Sequence, residues 1–440
     1  MRGLVFFVIL SGMIFASSQT AQAANHYILA GAVGNASGAD WTNACTDFTG
    51  SCSASSLVRG DTYYVATGSY VGRTFNVAAS GSTLITIKGA TASDHGSNTG
   101  WLPSYGVDVI QATFTGSVTF STSYWIFDGN VGPVWSRTPT AYGFTFSAMQ
   151  KPVFIFNTSA AISNVAIAHI AATAPSGDME KFFISTDNSS KGVSNVTITN
   201  NYLYGWQNAY WATSGGLTMD SWVFQYNMCL NGFSSSNNHG EWINNNYGLH
   251  TNQITRWNWF EGPQNGTGVI VANNNDNVNA QIYGNVFNNF SEGNGIITGT
   301  SAGNLVSPQV YNNTFINCSG GGWIGGNTTG TPIVRNNLLY NMSASAAVSG
   351  DYNAYFSTTN TPSETHRQTG SANPFVNLAS NNVQLAAETQ AGITLAVPWN
   401  VDVNGTVRGA DGTWSRGAYQ VGGTVSSLPQ PPTSLIVSVN

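Results

Sequence analysis

The sequence predicts an all-β chain wound as a single-domain parallel β-helix carrying an asparagine ladder, on three observations. An Asn followed by a short apolar pair recurs at Asn201, Asn227, Asn258, Asn285, Asn313 and Asn337, at intervals of 26, 31, 27, 28 and 24 residues. Positions three and five before these Asn are often apolar, as at Val196 and Ile198 or Trp222 and Phe224, which is the alternation of a strand with one face inward. Only 7% of the 440 residues are charged while 49 are Gly, which disfavours long Glu/Lys-laced surface helices.

A period in the twenties that tolerates insertions is the mark of a solenoid whose unit is one coil, with additional residues looping out. Roughly 9 to 11 coils fit the chain, stacked at about 4.8 Å. An Asn at the bend can bond its amide to the equivalent residue above and below, pairing groups that a buried turn would leave unsatisfied. Val165, Ile167 and His169-Ile170 align with Val196, Ile198 and Asn200-Asn201, so the column begins upstream without Asn. Ile254 lies four positions before Asn258, not three, which predicts a bulge or a shifted strand in that coil. Propeller blades need periods nearer 40 to 50, and sandwich strands would not hold one Asn phase.

Residues 1–23 read as a secretory signal peptide: Arg2, an apolar run from Leu4 to Phe15, then Ala21-Gln22-Ala23. The β-helix domain then occupies 24–423, and 424–440, with Leu428-Pro429-Gln430-Pro431-Pro432, is a linker or tail. No later apolar run is long enough to span a bilayer, so the expectation is a secreted, periplasmic or cell-surface monomer. Cys45 and Cys52 flank a short polar loop suited to a disulfide in an oxidising compartment, whereas Cys229 and Cys318 fall in apolar strands as buried hydrophobes. With 13 Lys+Arg against 19 Asp+Glu, the chain lacks the basic footprint of a nucleic-acid binder.

Both ends carry more specific phrases: Gly38-Ala39-Asp40-Trp41-Thr42-Asn43-Ala44 and Arg59-Gly60-Asp61-Thr62-Tyr63-Tyr64-Val65, then Asp351-Tyr352-Asn353, Asp402-Val403-Asn404-Gly405 and Trp414-Ser415-Arg416-Gly417-Ala418-Tyr419. With the Asn-x-Phe coils they make the chain resemble the secreted bacterial right-handed parallel β-helix proteins of the pectate-lyase-like superfamily, from about Tyr27 to Tyr419. That resemblance implies a polysaccharide partner and work as a lyase, a hydrolase or a binder. Acidic residues are too sparse for the stacked cluster of the calcium-dependent pectate lyases, and no Asp-Asp pair of the polygalacturonase kind is present.

A polysaccharide lyase needs a base, an acid, and a cation to hold the developing charge. The densest set of such groups is His239-Gly240-Glu241, followed by His250, Arg256 and Glu261. Aligned on Thr267-Gly268-Val269-Ile270-Val271, alternation lets His239 and Glu241 share one face, which as an outer face would gain Tyr210 and Asn294 from neighbouring coils. Lys181 falls at the His239 column two coils earlier, about 10 Å away. The expected catalytic set is His239 or Lys181 as base, Glu241 as orienter or acid, and Arg256 as carboxylate clamp. Arg256 also shares its phase with Arg335, so outer-face decoration stays open. Trp206, Tyr210, Trp211, Trp242, Trp257, Trp259 and Trp323 crowd one half of the rod, and alternation turns about half outward for sugar stacking; Tyr210, Trp211, Trp257 and Asn294 are the expected substrate-binding residues. Asp276, within Asn273 to Asn277, could belong to a calcium loop or simply a polar one, and no cofactor or metal ligand set is assigned. The competing reading is a non-catalytic glycan-binding or surface-structural rod.

Overall fold

The computed structural model describes residues 23–106, 112–147, 152–174, 182–186, 191–211, 216–232, 240–262 and 266–422. Residues 1–22 and 423–440 lie outside it, and so do the expected leader and tail. Three parallel sheets run the length of a rod, each coil contributing in turn to the first, second and third sheet. The first begins with Asn25–Ile28 and Thr62–Val65 and has 16 strands, because from Thr218–Asp220 onward each coil supplies two short strands in place of one. The second, 12-stranded, runs from Gly68–Val71 to Gln368–Gly370; the third, 9-stranded, from Thr74–Phe75 to Ile324–Gly325. Among the described residues there are 3-10 turns but no α-helix. This is the parallel β-helix that the Asn period predicts.

Corners between sheets explain the asparagines twice over. The residue before each ladder Asn takes a left-handed conformation, as at Asn200 (φ 53°), Asn312 (φ 54°) and Asn336 (φ 58°), and Asn tolerates that region better than other non-glycine residues. The next residue is the rung itself. The Asn227 Oδ1 accepts both the Asn201 peptide N–H (3.0 Å) and Nδ2–H (2.9 Å), and the pattern repeats through Asn258, Asn285, Asn313, Asn337 and Asn353. Each Nδ2 also donates to a carbonyl of the coil before, as from Asn285 to Thr255 O at 2.8 Å. Every amide is thereby satisfied in full although all seven rungs are completely buried.

Inside the rod the inward positions stack along its axis. Phe260, Phe287 and Phe315 lie nearly parallel, 5.2 and 4.8 Å between centroids. Neither the bulge nor the shifted strand expected at Ile254 forms: Thr255, three before Asn258, pairs with Phe224 and Ile282 and takes the inward place, leaving Ile254 on the outer face. Cys45 and Cys52 form the disulfide, and Cys229 and Cys318 are free and buried.

Two segments cover the outer side of the second sheet. The chain beyond Phe375 folds back over Met228, Trp259, Val286 and Leu338. Asn312 donates to Trp399 O and accepts from Trp414 Nε1, Asn336 exchanges two bonds with Ile393, and Ala418 N donates to Thr314 Oγ1. The loop at Trp135 reaches the same surface, donating to Trp257 O and meeting Tyr419 edge to face. No helix among the described residues is long and apolar enough to cross a membrane.

Candidate functional site

The second sheet is covered, whereas the outer face of the first sheet is partly exposed in the later coils. One column on it reads Thr197, Val223, Ile254, Gln281, Gln309 and Ile333, all at least partly exposed. Beside it run the exposed corner amides of Asn195, Asn252 and Asn279. The opposite border is a column two residues before each ladder Asn: Gln225, Arg256, Tyr283, Tyr311, Arg335 and Asp351. Arg256 and Arg335 do share one phase, as their sequence positions indicate.

At the C-terminal end of this lane Pro332 to Arg335 and Ser349 to Asp351 line a groove of about 230 Å³. Asp351 follows Arg335 in the column, and its carboxylate accepts the His366 peptide N–H (2.8 Å) and ring Nδ1–H (2.9 Å). His366 stacks on Tyr352 with centroids 4.2 Å apart, one coil further on, leaving its side chain about half exposed at 49%. Burial opposes the Asp351 charge, but the His366 ring and peptide and the Tyr352 peptide outweigh it and hold the pKa below the usual carboxylate range. With Nδ1–H committed to Asp351, Nε2 is the ring nitrogen left for a further partner. Arg335 has no ion pair or side-chain hydrogen bond among the described residues. Arg335 and Asp351 thus line one groove at the end of the lane, and Asp351 holds the His366 imidazole.

Arg256 is held differently. Its Nε donates to Gln225 Oε1 at 2.7 Å, its Nη1 to Tyr283 Oη at 2.8 Å, and its guanidinium lies 4.3 Å over the Trp257 ring. Between the two arginines Tyr311 packs against Trp399 from the C-terminal segment.

The site expected around Glu241 is arranged otherwise. His239 and Lys181 lie outside the described residues. Ile243 pairs with Ile270, not Val271, so the strand is one residue out of the expected register, and a one-residue slip exchanges faces. Glu241 is accordingly buried, its carboxylate accepting from Asn244 Nδ2 (2.9 Å) and the Thr267 peptide N–H (3.4 Å). Arg256 belongs to the first sheet and Glu241 precedes a third-sheet strand, so the two are not brought together. Tyr210 points into the core, donating to Gln253 Oε1 at 2.9 Å, and cannot stack on a ligand outside. Trp257 occupies a corner beneath Arg256 and beside Tyr226, and is buried. Trp211 pairs with Asn244 through its backbone, and Asn294 is exposed. Trp206, Trp242, Trp259 and Trp323 are also buried, so the expected half-outward aromatic patch is absent from them. His250 lies in the core as well, its Nδ1 accepting from Gln253 Nε2 at 2.7 Å. The Asp276 carboxylate accepts from the Asn304 peptide and side-chain amides, and no cluster of metal-ligating side chains occurs among the described residues.

The phrases that carry the family resemblance turn out to be closures. Arg59 spends its guanidinium on the carbonyls of Val77, Ala78 and Tyr124, and Asp61 ties Ala24 and His26. Asp402 caps its own turn at the Asn404 and Thr406 amides, and Arg416 bonds Asn353 O and Ala391 O. His366, missed in the sequence, follows the last ladder Asn where the period has ended; its one available signal was the nearby Asp351-Tyr352-Asn353.

No protein-family model and no curated protein matches the sequence. Among solved structures, a pectate lyase, Pel9A, is similar over 90% of this chain and 97% of its own, with 16% identity and a TM-score of 0.49. The PL6 family alginate lyase AlyGC is similar over 75% of this chain and 53% of its own, with 12% identity and a TM-score of 0.32. The Streptococcus pneumoniae surface protein and adhesin PfbA is similar over 71% of this chain and 89% of its own, at 10% identity and a TM-score of 0.29. A fold does not fix a function, so chemistry must be argued from side chains.

Proposed function

We propose that this chain is an exported, polysaccharide-active β-helix protein that takes an acidic glycan on the open face of its first sheet and cleaves it by elimination. The observation that carries the reading is that Arg335 and Asp351 line one terminal groove, with the His366 ring held on Asp351. A uronate carboxylate at Arg335 is held by a planar donor fork, which also stabilises the charge that builds when the neighbouring C–H proton leaves. His366 Nε2 removes that proton, and Asp351 keeps the ring oriented and supports the imidazolium. The electron pair forms a carbon–carbon double bond as the glycosidic C–O bond breaks, and the leaving oxygen takes a proton from the imidazolium or from water. Corner amides and hydroxyls along the lane suit the sugar hydroxyls.

Glu241 serves in this account as a brace for the backbone at Thr267, with no part in proton transfer. The test is a screen of the mature protein on acidic polysaccharides for unsaturated uronate absorbance, with His366→Ala, Arg335→Ala and, separately, His239→Ala and Glu241→Gln. Loss of product in the first two variants but not the second two supports the reading. Loss only with His239→Ala or Glu241→Gln would move the chemistry to the third sheet. Binding without product from any acidic glycan would make the chain a glycan-binding rod, with His366 merely closing the last coil.

A further inference from the structure

Arg256 occupies the same outer column as Arg335, three coils earlier, at a distance of roughly 14 Å. Its guanidinium is fixed on three sides, by Gln225, Tyr283 and the Trp257 ring, while the residue stays partly exposed and Nη2 makes no hydrogen bond among the described residues. A side chain already ordered loses little further freedom when it binds an anion. Ile254, two residues before it, lies on the open lane with Gln281 and Gln309 beyond, leading toward Ile333 and the groove. The lane passes beside Tyr311, which packs against Trp399, and Gln309 stays partly exposed.

We infer that Arg256 is a second anion-binding subsite on this lane, making the protein selective for polyanionic glycan chains long enough to reach both arginines. The inference rests on the proposed lane for acidic glycans. It adds a length requirement and a residue that sets it: a short oligouronate engages Arg335 alone, whereas a chain spanning three coils engages both. Linking the two contacts in one ligand makes the second intramolecular, so affinity rises in a step and not gradually.

The experiment is calorimetric titration of size-graded oligouronates, from disaccharide to decasaccharide, and of neutral oligosaccharides of the same sizes, into His366→Ala protein at low salt. The expected result is a step of about tenfold or more at the spanning length, as for a hydrogen bond to a charged group. It is present for the oligouronates only and weakens with added salt. Adding Arg256→Gln removes the step and leaves disaccharide affinity unchanged. Should that variant fail to fold, Gln309→Glu places a repelling charge on the lane between the two arginines while Gln225, Tyr283 and Trp257 stay in place, and it too removes the step. An unaltered length dependence in a folded variant, or the same step with neutral sugars, would overturn the inference. Absence of cleavage by the unmutated protein sinks the lyase reading and leaves this one standing; a missing step with intact cleavage sinks this one alone.

Discussion

The carboxylate of Glu364 closes the asparagine ladder at Asn353, accepting its peptide N–H at 3.1 Å and its Nδ2–H at 2.8 Å, with Tyr355 Oη at 2.6 Å. Every rung donates in the same direction along the rod, so the last one presents donors with no further Asn to receive them. An anion is the fitting terminator, for the same reason that anions sit at the N–H end of a helix. Glu364→Ala is expected to cost about 1–3 kcal/mol and to raise hydrogen exchange in the last coils first. Uniform exchange along the rod, with unchanged stability in urea, would show that the ladder needs no terminator.

An interior rung has no substitute at all. Removing the Asn285 amide takes the shared acceptor from the Asn258 peptide and Nδ2 N–H groups and a donor from the Thr255 carbonyl, while Asn313 Oδ1 keeps only the Asn285 peptide N–H. Asn285→Ala should lose upward of about 3 kcal/mol. The exposed Asn294→Ala, by comparison, should stay within about 0.5 kcal/mol. Equal losses in chemical denaturation would contradict a load carried by the ladder.

Acid should weaken the rod through His250. Burial, only partly offset by the Gln253 hydrogen bond, lowers its pKa to about 3. In the unfolded chain the ring titrates near 6.5. Because the folded value is the lower one, this contribution is complete above about pH 6.5 and is lost as pH falls toward 3, at most about 5 kcal/mol. The carboxylates held low, Asp128 and Asp351 among them, lose theirs only in the more acidic part of that range. Comparing stability against pH for the unmutated chain and His250→Phe isolates the effect. The variant should show a flatter profile between about pH 6.5 and 4, whatever its absolute stability, and parallel profiles would refute the assignment.

Gly417 is where the C-terminal segment touches the coils. Its φ is +99°, and a Cβ there would stand 2.8 Å from Thr314 Oγ1 and 3.0 Å from Leu338 Cβ. Gly417→Ala should therefore lift the segment, exposing Trp399 and Trp414, while the ladder coils persist. Limited proteolysis would then cut beyond Phe375 and leave a resistant solenoid; an unchanged digestion pattern would show that the contact is not needed.

The fold was readable because one residue type at one phase marks the coils from Asn201 to Asn353, where the buried corner needs the Asn amide. The phase also located Arg256 and Arg335 on a common column. It failed for Tyr210 and Glu241, where a one-residue slip at the third sheet reverses inside and outside. It failed for Trp257 and Trp259 because the segments covering them come from positions more than a hundred residues away, which no local alternation can report. His366 went unread because the ladder stops at Asn353, and with it the period that tells one face from another.

Elimination and hydrolysis differ by one water in the product, and that difference bears most directly on the proposed chemistry. Mass spectrometry of fragments released from an acidic polysaccharide by the mature protein should show new non-reducing ends lighter by one water, absent with His366→Ala. Fragments carrying the full water, or undiminished unsaturated ends from the His366→Ala protein, would contradict it.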